Sequence, residues 1–259
     1  MPASTSPPPR FHTPDLEASS PVGTPFELPE GEAHHALRVL RLREGDPVVV
    51  FNGLGQAWTA RLTTTTKSKA SGEITGTFTA PPEPASRLVL VFAVCKGGKP
   101  DLIIQKAVEL GAHRVVGVMA ERSQVKLNAD RAEHRGEHWR QVAIDACKQC
   151  ERAYLPAVVG PISFNEYLDH VGSNARLAFL EPRNPAMTFA AWLNTASQAG
   201  PLAEIHLLVG PEGGWTDDER TRAEEHGAQA VLFGPRILRA ESACMAALAI
   251  AQSRLGDLR

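Results

Sequence analysis

The chain has no apolar run of membrane-spanning length, and its opening Met1-Pro-Ala-Ser-Thr-Ser-Pro-Pro-Pro holds neither a basic stretch nor an apolar one. A spanning helix needs about 20 consecutive apolar residues, and a secretory leader needs a charged start followed by an apolar segment. No membrane partner and a cytoplasmic location are therefore expected. Cysteine is scarce: four in 259 residues do not make a disulfide framework, and they fall on apolar runs or on a helix, as suits a reducing compartment. Net charge is nearly absent, at -2 with a pI near 6.5, which excludes a protein that coats nucleic acid indiscriminately. Walker, G-x-G-x-x-G and G-x-S-x-G patterns are all missing, so nucleoside triphosphate, dinucleotide and serine-hydrolase chemistry lose support.

What remains is an ordinary globular composition, 43% hydrophobic and 22% charged, over a length that suits two domains. Residues 1–9 read as a disordered Pro/Ser-rich tail. Residues 10–82 read as a small β-barrel: 47–51 is apolar, Asn52-Gly53 is a hairpin turn, 57–62 resumes and 73–79 alternates. A helical stretch at 32–42 interrupts it, with Ala36, Leu37 and Leu40 facing in and Arg38 and Arg41 facing out. Pro81-Pro82-Glu83-Pro84-Ala85-Ser86 is a linker that no strand interior would accept. Residues 83–259 then alternate strand and helix, which implies a parallel sheet: strands at 88–95, 114–119, 176–180, 205–209 and 230–233, and helices at 101–110, 133–152, 186–196 and 241–255.

Cys147-Lys148-Gln149-Cys150 is a CxxC on a helix, without the strand-to-helix setting of a redox motif or two further ligands for zinc, so it reads as helix packing. His34 and His35 lack a ligand partner at metal spacing and read as a helix start. No metal is expected.

Chemistry concentrates in two late turns, Val209-Gly210-Pro211-Glu212-Gly213-Gly214 and Phe233-Gly234-Pro235-Arg236-Ile237-Leu238-Arg239. Each follows a short apolar strand and leads into a helix, and ligands of open α/β sheets bind at that edge. Thr216 with Glu219 forms a capping box. Glu212, Asp217, Asp218 and Glu219 make the first turn unfit for phosphate and better suited to a neutral or cationic ligand. Basic clusters lie at Arg38, Arg41 and Arg43, at Lys96 and Lys99, and at Arg122, Lys126, Arg131 and Arg135. Each reads either as a solvated face or as an RNA contact.

The segments GPEGGWTDDE and LFGPRILRAESA resemble the two C-terminal signatures of the RsmE family, the uridine-N3 methyltransferases of small-subunit ribosomal RNA. His35-Ala36-Leu37-Arg38-Val39-Leu40-Arg41, the K-A-x-E-L-G of Lys106 to Gly111, Glu121-Arg122-Ser123 and the A-x-x-Q-x-x-R of Ala146, Gln149 and Arg152 also resemble it. The chain departs mildly, with Ser242 where the family commonly has Thr. The resemblance implies a PUA-like barrel followed by a SPOUT α/β domain, mostly parallel and trefoil-knotted, that binds S-adenosylmethionine. It also implies a homodimer, with the helix after Ala240 and the helix near Trp139 as contact surfaces, and the 16S rRNA of the small subunit as partner.

The site residues it implies are Arg239, Glu241 and Arg122 for catalysis. Leu180, Glu181, Leu208, Val209, Gly210, Pro211, Glu212, Gly213, Gly214, Leu232, Gly234, Ile237 and Leu238 would hold the cofactor. Arg10, Arg38, Arg41, Lys96, Lys99 and Arg236 would meet RNA. Arg239 is expected as the cation beside a ring oxygen, with an Arg239–Glu241 ion pair as the plain alternative, and the proton acceptor stays open among Glu241, Glu212 and hydroxide. Ribose 2′-O methylation by another SPOUT enzyme, or a non-catalytic RNA-binding or ribosome-assembly role, are the competing readings.

Overall fold

The computed structural model describes residues 7–123, 125, 128–181, 187–196, 198 and 203–258. Tail residues 1–6, Lys126 and the start of the helix read at 186–196 lie outside them. Two compact units result: 1–83 together with Ile144–Leu155, and Pro84–Ala143 together with Pro156–Arg259. The return of 144–155 to the first unit has no compositional signal.

The first unit is a five-stranded sheet in the order β1-β3-β4-β5-β2, built from β1 (Arg10–His12), β2 (Pro25–Glu27), β3 (Pro47–Phe51), β4 (Ala57–Thr65) and β5 (Ala70–Phe78). Alternating Val48, Val50, Trp58, Ala60, Leu62 and Ile74 line its buried face with Phe11 and Phe26. The β3–β4 connection is wider than an Asn-Gly turn. The Asn52 side chain organises it, its Oδ1 accepting from the backbone N–H of Leu54 (2.8 Å) and Gln56 (3.2 Å).

The helical stretch is α1 (Glu30–His34) followed by a π-helical turn, His35–Val39. The wider π turn advances side chains by a smaller angle than an α-helix does. Ala36 is buried as read, but Leu40 is turned outward, 41% exposed, against the inward reading. Arg41 ends the turn at φ 55°.

Arg10 is also corrected. It is 7% exposed, donates from Nη2 to the carbonyls of Glu151 (2.9 Å) and Arg152 (3.4 Å), and lies over the rings of Phe51 and Phe78. A guanidinium spent on the unit's own carbonyls is a structural tie and has no face for RNA. The return segment adds Lys148–Glu32 (3.2 Å), shielded from solvent on both sides, and Arg152–Glu83 (2.6 Å), in which only Arg152 is buried. Cys147 donates to the Tyr154 carbonyl at 3.5 Å, and burial pushes its thiol up to about 12, so it packs as a neutral thiol.

The second unit is a seven-stranded parallel sheet in the order β10-β12-β9-β11-β6-β7-β8. Its elements are β6 (Arg87–Ala93), α2 (Lys99–Glu109), β7 (Arg114–Met119), α3 (Ala129–Cys150, which belongs to the first unit from Ile144 on), β8 (Ala157–Ser163), α4 (Phe164–Asp169), β9 (Arg176–Glu181), β10 (Met187–Thr188), α5 (Phe189–Ala196), β11 (Glu204–Val209), α6 (Asp217–Glu225), β12 (Gln229–Leu232) and α7 (Ala240–Leu255). β6 is a near-continuous apolar run, as a strand covered on both faces requires, and β11 is apolar from Leu207 to Val209.

After β8 the chain crosses to the other side of the sheet and lays β9, β11 and β12 next to β6. From β12 the chain turns back to pack α7 on β11, β6 and α2. Trp139 is 1% exposed, packed on Phe92 and against Gly117, so its ring belongs to the interior.

Candidate active site

Strand order reverses between β6 and β11, and open α/β sheets leave a crevice at such a switch point, outside the carboxyl ends of the strands. Two adjoining clefts occupy it. The larger, about 820 Å³, is walled by the strand ends Leu180, Glu181 and Val209, by the turn Gly210 to Trp215 and by Phe233 with Arg236 to Ala240. The smaller, about 220 Å³, is walled by Val94, Cys95, Lys96 and Lys99, and shares Arg122, Pro211 and Glu212 with the larger. The larger volume falls in the ordinary range of small-molecule sites, about 300–1,000 Å³.

The first turn is held from below and from the side. Trp215 is 4% exposed, its ring 4.6 Å from that of Phe164 and 5.2 Å from that of Phe179. A Cβ on Gly210 would stand 2.7 Å from Trp215 Nε1, so only glycine lets the turn cross that ring. Gly214 has φ +71°, a conformation that suits glycine. Arg122 donates from Nη1 to the carbonyls of Gly213 (3.1 Å) and Trp215 (3.3 Å), pinning the turn open. Thr216 and Glu219 complete the capping box of α6, and Glu219 Oε1 also accepts from the Glu121 N–H at 2.8 Å, tying the loop after β7 to the helix start.

Most of the expected site residues meet at the larger cleft: Leu180, Glu181, Val209 through Gly214, Ile237, Leu238, Arg122, Arg236 and Arg239 line it. Leu208 does not, being fully buried in β11, and neither do Leu232 and Gly234. Lys96 and Lys99 line the smaller cleft. Glu241 is 3.9 Å from Lys99; no ion pair joins it to Arg239 among the described residues. Arg38 and Arg41 are exposed in the first unit, Arg38 donating to the Lys67 carbonyl at 3.1 Å.

Sequence reading left five lining residues out of the site, Ala240 and Ala243 at the start of α7 among them. Arg220, one turn into α6, pairs with Glu181 at 3.0 Å. Burial pushes the Glu181 carboxyl up and Arg220 opposes it. Trp215 and Phe233 are the others. Trp215 stands inside the recognised motif, but its role depends on Phe164 and Phe179, which no local pattern connects to it.

The donor set is main-chain groups, aliphatic side chains and the carboxylates of Glu181 and Glu212, with arginines at the rim. Such a wall suits an extended ligand with apolar and cationic parts. Together, fold and cleft define an α/β protein that can take a small ligand at the carboxyl edge of its parallel sheet, with a five-stranded unit before it.

Residues 81–252 match the RNA methyltransferase domain, and residues 28–75 match the RNA methyltransferase PUA domain. Ribosomal RNA small subunit methyltransferase E of Synechocystis sp. is 34% identical over 86% of this chain and 71% of its own length, and that of Bacillus subtilis is 30% identical over 86% and 88%. The crystal structure of ribosomal RNA small subunit methyltransferase E from Neisseria gonorrhoeae bound to S-adenosyl methionine superposes with a TM-score of 0.86, at 36% identity over 97% of this chain and 100% of that one. A putative methyltransferase from Legionella pneumophila, in complex with the same cofactor, gives 0.86 at 27% identity over 98% and 100%. The chain belongs to the ribosomal RNA small subunit methyltransferase E family.

Proposed function

We propose that this protein transfers the methyl group of S-adenosylmethionine to N3 of a specific uridine in the 16S rRNA of the small ribosomal subunit. The observation that carries the reading is the larger cleft, bounded by both glycine turns, in a chain whose relatives from Neisseria and Legionella hold that molecule. Leu180, Val209, Gly210, Ile237 and Leu238 would hold it, largely through main-chain atoms, while Glu181 and Glu212 favour its cationic parts. When bound, it supplies an electrophilic methyl group on a positively charged sulfur.

The protein's share is alignment and charge. Uridine N3 is occupied in a base pair and protonated near neutral pH, so the base must be unpaired before it can react. Arg239, exposed at the start of α7 and lining the cleft, sets a positive charge against a ring oxygen. Arg122 acts through the turn it pins. Arg38 and Arg41 in the first unit, and Lys96 and Arg236 in the second, supply RNA contacts. A cytoplasmic homodimer, paired through the region of α7, completes the reading; a sedimentation mass of one chain would remove that part.

Arg239→Ala should bind S-adenosylmethionine within a few fold of wild type while transfer falls about 100-fold. Transfer near wild type would remove Arg239 from the reaction. Mass spectrometry of nuclease digests should find the added methyl on the uracil ring. A methylated ribose would favour the 2′-O reading, and calorimetry showing no cofactor binding would favour a non-catalytic RNA-binding role.

A further inference from the structure

Resting on that reading, we propose that the Lys99–Glu212 pair in the smaller cleft reads the target ring as uracil: Glu212 accepts the N3–H and Lys99 donates to the adjoining ring oxygen. The smaller cleft opens beside the larger and shares Glu212 with it, so a ring seated there lies next to whatever the larger cleft holds. Its 220 Å³ is ample for one pyrimidine, since a cavity of about 150 Å³ accommodates a benzene ring.

Three cations border this cleft, and their partners separate them. Arg122 is committed to the carbonyls of Gly213 and Trp215. Lys96 is exposed at the rim. Lys99 is held by its ammonium, 2.6 Å from Glu212 Oε1 and 3.9 Å from Glu241 Oε2. An ion pair as exposed as Lys99–Glu212, with side chains 34% and 54% accessible, adds little to stability. Glu212 stands on the wall of both clefts and Lys99 on that of the smaller, a position that matches a pair a ligand takes apart. Glu212 also feels the charges of Arg239 and Lys96, which with the Lys99 hydrogen bond hold its carboxyl below the usual range and so ionised. Glu241, with an Oε2 that has no hydrogen-bond partner, gives the ammonium a second carboxylate to rest against once a ring has claimed Glu212.

The pair offers a donor beside an acceptor. Uracil presents the complement, a carbonyl oxygen next to N3–H. Cytosine presents the reverse, an amine next to an unprotonated N3, and would set its N3 lone pair against the Glu212 carboxylate. A site built on such bonds rejects the wrong base by leaving its own groups unpaired. The same contacts fit the reaction. The N3–H bond breaks with its proton passing to a Glu212 oxygen, and the electron pair left on N3 forms the bond to the methyl carbon. The carbon–sulfur pair stays on sulfur, which becomes a neutral thioether, and Glu212 then loses its proton to water. Lys99 steadies the negative charge that grows on the ring oxygen.

The test uses the full-length protein and an RNA hairpin carrying uridine, 5-fluorouridine or cytidine at the target position. For Lys99→Gln, calorimetric cofactor affinity and RNA affinity should stay within about threefold of wild type, the salt dependence of RNA binding should be unchanged, and kcat should fall about 100-fold. 5-Fluorouridine, which gives up its N3 proton more readily, should recover about tenfold of that loss, and Lys99→Arg should retain part of the rate. For Glu212→Gln, the preference for the uridine over the cytidine hairpin, measured by fluorescence anisotropy without cofactor, should collapse.

Lys99 gripping a phosphate instead would weaken RNA binding, lower the salt slope by about one and leave kcat at saturating RNA intact, and that result overturns the proposal. So does an equal loss on uridine and 5-fluorouridine, or an unchanged base preference in a Glu212→Gln protein that keeps the wild-type circular dichroism spectrum. Failure of wild-type protein to bind cofactor or to methylate N3 would strike the function reading itself. N3 transfer by wild type with both variants unaffected would strike only the Lys99–Glu212 assignment.

Discussion

Trp215 is the residue on which the first turn rests, because its ring fills the space between Phe164 and Phe179 while its edge meets Gly210. Removing a buried indole leaves a cavity, so Trp215→Ala should cost about 3–5 kcal/mol in denaturant unfolding and weaken cofactor binding. Gly213→Val tests a different contact. Even a Cβ there would meet Arg122 at 3.3 Å, so branching should push the pinning side chain away; intact calorimetric affinity would show that the turn does not depend on it. The glycines were legible in the sequence because backbone crowding leaves a mark on residue type. The Arg220–Glu181 pair and the seat of Trp215 were not, because each is made by residues brought together only when β9, α4 and α6 pack. Arg10 misled for a related reason: its type shows charge, and only the fold shows that the charge is enclosed.

At the level of elements, boundaries were clearest where the pattern was strongest, and β3 and β7 fall where their apolar runs placed them. β8 escaped notice because it is an edge strand with Pro161 inside it and little burial, and α4 because it is only six residues long. α6 starts at its capping box, so Thr216→Ala should lower stability by about 1 kcal/mol.

β11 carries a second consequence at its amino end, away from the cleft. Tyr167 donates to His206 Nδ1 (2.7 Å), His206 Nε2 donates to Glu204 (3.1 Å), and Arg114 also bonds Glu204. These bonds, the His206 one foremost, hold the Glu204 carboxyl near about 2, against an unfolded value of 4.5, and burial keeps the His206 imidazole below its ordinary value of 6.5. Both folded values are depressed, so both contributions are present above the unfolded values and are lost as pH falls through the folded ones. Thermal melts should therefore show stability declining below about pH 6.5 and further from 4.5 toward 2. A His206→Gln variant should flatten the upper part of that decline; an unchanged profile would mean the network does not carry it.

Across the whole molecule, the division into two units was visible only in part. The proline-rich linker marks where the first unit is left, at Glu83, and nothing marks where the chain comes back to it. The return is stabilising in a specific way: Glu151 and Arg152 supply the carbonyls for Arg10, Lys148 neutralises the nearly enclosed Glu32, and Arg152 meets Glu83. A fragment ending at Glu83 would leave a shielded guanidinium and a shielded carboxylate without those partners, an arrangement far more costly than an exposed charge. That fragment should show collapsed amide dispersion by NMR, and a peptide spanning 144–155 should restore it. A well-dispersed spectrum from the fragment alone would show that the strands suffice.

The order of synthesis follows from the same return. The unit whose strands leave the ribosome first must wait for residues 148–152 before Arg10 and Glu32 meet their partners, so the beginning of this chain is finished by its middle. A stall between those points would hold the first unit without those ties, in a loosened state prone to aggregate.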